Sequence, residues 1–251
     1  MVPIKKIIPR AVRPLVSRFK NIPMITRLLG KFALLGSQAG QDLWIYGEAF
    51  NQKRNGYFVD IGAHDGINLS NTYALEAKYQ WSGLCVEANP DTFKKLVQNR
   101  KSVCVNKCVD KTDGVVDFVL DGGRGGIIHD DLYQANNAQE HNTVVKLETT
   151  SLAALLATNN APSTIDYLSI DVEGAEERIL ADFNFDAYTF RTITIERPSQ
   201  RLRSILQDNG YLLIKEIPNL DCFYIHDSFR KEYKKNLFSF YANKRLTIAW
   251  K

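Results

Sequence analysis

The stretch Tyr57-Phe58-Val59-Asp60-Ile61-Gly62-Ala63-His64-Asp65-Gly66 decides how this chain is read. Five residues of β-forming, mostly apolar character follow the Asn55-Gly56 turn signal and break into a turn with two glycines. A buried strand ending in such a turn belongs to an α/β sheet. In these sheets ligands sit beyond the carboxyl ends of the strands, near the switch in strand order. Gly62 and Gly66 let backbone approach a ligand closely and turn tightly. The spacing is GxxxG rather than the GxGxxG that seats a dinucleotide pyrophosphate, and no GK[ST] phosphate loop occurs anywhere.

Working outward, the next strand, Leu84-Cys85-Val86-Glu87, ends in an acid 27 residues after Asp60. A carboxylate there is placed to accept both hydroxyls of a ribose. Ala88 and Asn89 follow, where an adenine ring can lie, and Asp110 ends the next strand within reach of the adenine amino group. The set Asp60, Gly62, Ala63, His64, Gly66, Glu87, Ala88 and Asp110 describes a nucleoside site without a pyrophosphate pocket. S-adenosylmethionine (SAM) has that shape.

The rest of the chain alternates between two periodicities. Helices are expected at 40–53, 69–80, 91–100, 151–158, 174–181 and 199–208. The third starts on an Asn89-Pro90 cap. Further strands are expected at 103–109, 114–120, 143–148, 165–170 and 192–195, and three β-like stretches, 211–217, 222–225 and 246–250, close the chain. Strands separated by helices give an α/β, doubly wound, mostly parallel sheet. The domain spans 37–251 behind an N-terminal arm, 1–36. Cys104 and Cys108, four apart in a β-rich stretch, are expected as small core residues on one face.

Composition excludes other classes. The 251 residues are 45% hydrophobic and 24% charged, a globular balance, and no apolar run reaches the roughly 18 residues of a membrane span. Four cysteines, with no CxxC and no zinc-like spacing, fit a reducing, cytoplasmic compartment. Of 32 basic residues, eight fall within residues 1–41, where no acid occurs, leaving 24 against 28 acids elsewhere. The body is therefore mildly acidic and the arm basic. The arm interleaves apolar residues with charge and holds four of the eight prolines, which forbid one continuous helix. It reads as a surface segment for the inner face of an anionic membrane, or as a packed arm; an organelle transit peptide is the minor reading, and a nucleic-acid partner fits poorly.

Two later strand ends are acidic. Asp171, Glu173 and Glu176 surround one strand-to-helix turn, and Glu196, followed by Arg197, ends the next strand. Acids at a helix start also complement its dipole, which suits Glu176 best. Taken together, Phe58 to Gly66, Cys85-Val86-Glu87-Ala88-Asn89-Pro90 and Ile165 to Glu176 resemble the FkbM family of SAM-dependent methyltransferases. Ser37-Gln38-Ala39-Gly40-Gln41-Asp42 resembles a leader found before the glycine motif in many members. The resemblance covers about residues 37–215. It implies a class I methyltransferase fold, a seven-stranded sheet whose last strand runs antiparallel. It also implies methyl transfer to a hydroxyl, often on a sugar of a glycan or on a secondary metabolite. By motif, Asp60, Gly62, Ala63 and Gly66 take the methionine end of SAM, Glu87 the ribose and Asp110 the adenine side. Ser169 stands where many members carry Lys.

An alcohol is a poor nucleophile at neutral pH, so a general base is expected. Asp171 or Glu173 is the leading candidate and His64 the next; Asp171 also borders the cofactor. Mg²⁺ held by Asp171 and Glu196 is a second route to activation, and spacing does not choose between them. Arg124 and His129, in and after the glycine-rich loop 121–126, are expected to meet the acceptor with Glu196. The competing readings are an RNA ribose methyltransferase and a non-catalytic SAM- or glycan-binding protein of the same fold.

Overall fold

The computed structural model describes residues 36–120, 125–128 and 143–248, with the side chains of 241–248 left aside. The arm up to residue 35, with Arg124 and His129, lies outside the described residues.

Tyr57–Ile61 forms β1, an interior strand of a seven-stranded sheet. Its neighbours are β2, Ser82–Val86, and β8, Thr164–Ile170, both parallel to it. Beyond β2 comes β3, Val103–Val105. Beyond β8 come β9, Thr189–Glu196, β11, Asp221–His226, and β10, Tyr211–Glu216. β11 runs antiparallel to both of its neighbours, as the resemblance implies. Chain order reverses between β1 and β8, which fixes the switch point there.

Alternate side chains of the strands feed two apolar layers. Val59, Ile61, Val86, Leu168, Ile170 and Ile193 pack on one face, against α4, Leu152–Thr158, α5, Glu176–Leu180, and α6, Gln200–Asp208. Phe58, Cys85, Tyr167 and Phe223 pack on the other. There they meet Trp44, Ile45, Leu75, Leu96 and Tyr233. These come from α1 (Gln41–Leu43) with its π-helical continuation Trp44–Ala49, from α2 (Tyr73–Tyr79) and α3 (Pro90–Asn99), and from α7 (Arg230–Ile248). Both layers hold continuous apolar runs because both sheet faces are covered.

Four expectations are corrected. Residues 103–109 are not one strand: β3 ends at Val105 and β4, Cys108–Asp110, joins a separate four-stranded sheet. Between them the Asn106 amide donates to the carbonyls of Glu87 (2.7 Å) and Ala88 (3.1 Å), bending the chain out of the main ladder. Cys104 and Cys108 therefore do not share a face; Cys104 lies opposite Cys85 in the β2–β3 register. The second sheet, unforeseen as such, is completed by β5, Gly114–Leu120, β6, Gly126–Ile127, and β7, Thr143–Ser151. Its inner face puts Phe118, Ile127 and Leu147 onto Cys108 and Ala175. Finally, Leu246 to Ile248 belong to α7 rather than to a strand. The edge of the sheet on that side is β10, paired with β11.

A buried guanidinium ties this framework to the glycine turn. Arg100, with a fully buried side chain, pairs with Glu76 (3.2 Å) and donates to the Gly66 carbonyl and the Ser70 and Thr72 hydroxyls. Thr72 in turn donates to Asp60 (2.6 Å). A Cβ on Gly66, where φ is +80°, would lie 2.7 Å from the Arg100 side chain, so glycine is what lets the arginine pass. Removing one partner of a buried pair strands the other's charge. Arg100→Ala should cost about 3–5 kcal/mol, read as a lower urea midpoint; a loss under about 1 kcal/mol would show the network to be dispensable.

Candidate functional site

At the switch point the two central strands nearly touch. Gly62 has φ +84°, and a Cβ there would lie 1.8 Å from the Asp171 carbonyl oxygen. The Asp171 N–H donates to the Ile61 carbonyl (3.0 Å), while the Gly62 and Ala63 N–H groups donate to Val86. Only glycine meets both demands. The turn walls one side of a crevice that is open to solvent.

Glu87 stands in the cavity wall, 9% exposed, with both carboxylate oxygens engaged by backbone. Oε2 accepts from the His64 N–H (2.9 Å) and Oε1 from the Asn89 N–H (2.8 Å). Burial raises its pKa, and those two donors and His64 pull the other way. Each oxygen keeps a further lone pair for a ligand hydroxyl. His64, at φ +51°, also lines the cavity, its ring 3.7 Å from the Asp65 carboxylate. Ala88, Lys107, Cys108, Val109, Phe118 and Ile127 enclose the end beyond Glu87. The second sheet thus forms the roof that sequence reasoning missed. The strands expected at 114–120 and 143–148 were its signal, and they do not say which site they cover.

Some expected residues stand elsewhere. Asp60 does not line the cavity; it is buried against Thr72, Ser169 and Arg100, and desolvation raises its pKa. Asp110 does not line it either, because Arg178 holds its carboxylate through two bonds of 2.8 Å. The wall at β4 is made by Lys107, Cys108 and Val109 instead. Ala63 and Gly66 shape the turn from behind. Ser169 accepts from the Asn71 amide (2.9 Å) under the same turn.

The other end of the cavity is acidic. Asp171, Glu173 and Glu196 bring carboxylate oxygens within 4.8 Å of one another. Asp221, the first residue of β11, lies opposite Glu196 in register and accepts from Gln41 Nε2 (2.7 Å). Burial, then the charge and hydrogen bond of Glu196, push Asp171 up to about 8. Burial and Glu196 push Asp221 up to about 6. Arg197 bonds both Glu196 (2.9 Å) and Glu173 (3.2 Å). Glu176 caps the turn as the sequence suggests, accepting from the Val172 and Gly174 N–H groups. Glu173 is held at φ +57°, a strained conformation for a non-glycine residue. Asp221 escaped the sequence reading because only the antiparallel return of β11 brings its first residue to this edge.

Among the described residues no helix is long and apolar enough to cross a membrane. No curated protein matches the chain. Among solved structures, a precorrin-6y C5,15-methyltransferase from Geobacter metallireducens GS-15 is similar at 13% identity, covering 76% of this chain and 89% of that one, with a TM-score of 0.39. The N-terminal domain of human METTL16 is similar at 11% identity, covering 83% and 71%, with a TM-score of 0.37. The family model of the methyltransferase FkbM domain matches residues 60–213, from the carboxylate of β1 into β10 and so across both walls of the cavity. With more than half its length matched, the chain belongs to the FkbM methyltransferase family.

Proposed function

We propose that the protein is a SAM-dependent O-methyltransferase whose acceptor is a hydroxyl on a sugar. The observation that carries the reading is the pairing, in one cavity, of a buried carboxylate held by two N–H groups with a crowded acid cluster across the Gly62 turn. The close approach at Gly62 and the roofed end near Phe118 fit a nucleoside-bearing cofactor. Glu87 would hold the ribose, Ala88, Lys107, Cys108 and Val109 the adenine end, and Gly62, His64 and Asp171 the methionine end. When bound, SAM supplies an electrophilic methyl group for in-line displacement.

The chain's own work is to orient the acceptor and take its proton. Asp171, hydrogen-bonded to Glu196, is the general base: a carboxylate raised to about 8 removes a hydroxyl proton far better than an ordinary one once it is ionised. Arg197 steadies Glu196 and Glu173, which accept hydrogen bonds from neighbouring hydroxyls. This acid-rich end supports a polyol over an RNA ribose, whose flanking phosphates it would repel.

Calorimetric titration should give micromolar SAM binding that Glu87→Ala weakens at least tenfold, with no NAD binding. Absence of SAM binding would overturn the reading and favour a non-catalytic protein. With a glycan acceptor, kcat/KM should climb about tenfold per pH unit below about 8 and then level. Asp171→Asn should remove that limb and about 10²-fold or more of the rate, a loss well beyond any change in SAM affinity measured by calorimetry. Full turnover by Asp171→Asn would end the base assignment. The Mg²⁺ route predicts that a strong chelator stops turnover; the base mechanism predicts no effect.

The same shifts act on stability. Asp171 and Asp221 are raised above their unfolded values, so the stabilisation they give is complete below about pH 4. It is lost as pH rises through about 6 for Asp221 and about 8 for Asp171. The melting temperature of the unliganded protein should therefore fall between about pH 5 and 8.5, and an Asp171→Asn/Asp221→Asn variant should flatten that slope. An unchanged slope in the variant would place its origin elsewhere.

A further inference from the structure

The outer face of α7 serves neither the core nor the cavity. Tyr233 and Phe240 are buried on its inner side, and Leu237 packs partly against the same apolar layer. At 3.6 residues per turn, Arg230, Lys231, Lys234, Lys235 and Phe238 fall on the opposite side, within an arc of about 140°. Phe238 lies near the centre of that arc and is 77% exposed, the highest value among the large hydrophobic residues described as exposed. Lys231, Lys234 and Lys235 are exposed as well. Arg230 reaches Asp227 at 3.4 Å, and Glu232, at the edge of the arc, faces Arg191 at 3.9 Å. Among the described residues no acid opposes the three lysines across this face.

A second observation concerns what lies beside it. α7 packs on the stretch Trp44–Ala49: Trp44 Nε1 donates to the Tyr233 hydroxyl (3.4 Å), Asn236 donates to the Ala49 carbonyl (2.8 Å), and Gly47 abuts the Phe240 ring. The chain enters this packed stretch from residues 1–35, whose sequence carries eight basic residues, many apolar ones and no acid. The lysines of α7 thus lie on an element packed against Trp44–Ala49, whereas the cavity end is acidic.

We propose that the outer face of α7 is a docking surface for an anionic phospholipid bilayer. Phe238 enters the headgroup–acyl boundary, and Lys231, Lys234 and Lys235 meet the lipid phosphates. An aromatic ringed by lysines suits an interface that is apolar at one depth and anionic at the next. The proposal stands apart from the methyl-transfer reading, since no residue of this face lines the cavity.

Sedimentation of the full chain with vesicles of phosphatidylcholine, with and without phosphatidylserine, at about 0.1 M salt tests it. The protein should pellet with the anionic vesicles only and be released as salt rises. Lys231→Glu/Lys234→Glu/Lys235→Glu should weaken binding by at least about tenfold, and Phe238→Ser by several-fold, because each charge near an anionic surface is worth about a fivefold change. Both variants should melt at the wild-type temperature, which separates lost docking from lost folding. Equal binding to neutral vesicles, no binding to either kind, or wild-type binding by both variants would overturn the proposal. So would single-stranded RNA that binds more tightly than the vesicles at the same salt and loses that affinity on the same charge reversals.

Discussion

Everything about this molecule's cavity depends on how closely the ends of β1 and β8 approach. A side chain at position 62 would sit 1.8 Å from the carbonyl oxygen of Asp171, and the Asp171 N–H is bonded to Ile61. Two strand ends cannot come that near unless one of them lacks a Cβ and can adopt φ +84°. Given that contact, the sheet's change of direction leaves a crevice with Glu87 on one flank and Asp171 on the other. Arg100 holds the turn from beneath, which is why a guanidinium lies fully buried among Glu76, Ser70 and Thr72. The glycine makes room above the sheet, and the arginine fixes what the glycine leaves loose.

Crowded charge is the second consequence. β8, β9 and the start of β11 all deliver an acid to one edge, so Asp171, Glu196 and Asp221 share a region where water is partly excluded. Repulsion and desolvation oppose full ionisation, and a proton is retained near neutral pH. Once that proton is lost, the carboxylate abstracts a proton from an alcohol better than an isolated surface Asp does. Arg197 offsets part of the repulsion without reaching Asp171's share of it.

Much of this was legible in the residues. Continuous apolar runs in 57–61, 84–86 and 165–170 named the parallel strands, because a strand buried on both faces has no polar side to show. The turn glycines, Glu87 and the acids of 171–176 named one edge of the sheet, because short-range spacing fixes where a strand ends. Glu87 and Asp171 do face the cavity, whereas Asp60 and Asp110 are spent on Thr72 and Arg178. An acid at a strand end reads the same whether its partner is a ligand or an arginine 68 residues away. Leu246 to Trp250 reads as β-like because the stretch is too short to declare its period, whereas its described part, up to Ile248, is helical.

Local sequence therefore set the strands, the caps and the tight turn, since these rest on backbone preferences and on neighbours a few residues apart. Tertiary structure alone chose which acids meet. The bend at Asn106 sends β4 into a second sheet and so roofs the cavity with Phe118 and Ile127. The antiparallel return of β11 carries Asp221 to Glu196, 25 positions earlier in the chain. Contacts of that kind depend on strand order and direction, which arise from burying the whole sheet at once and leave no mark on any short stretch of residues.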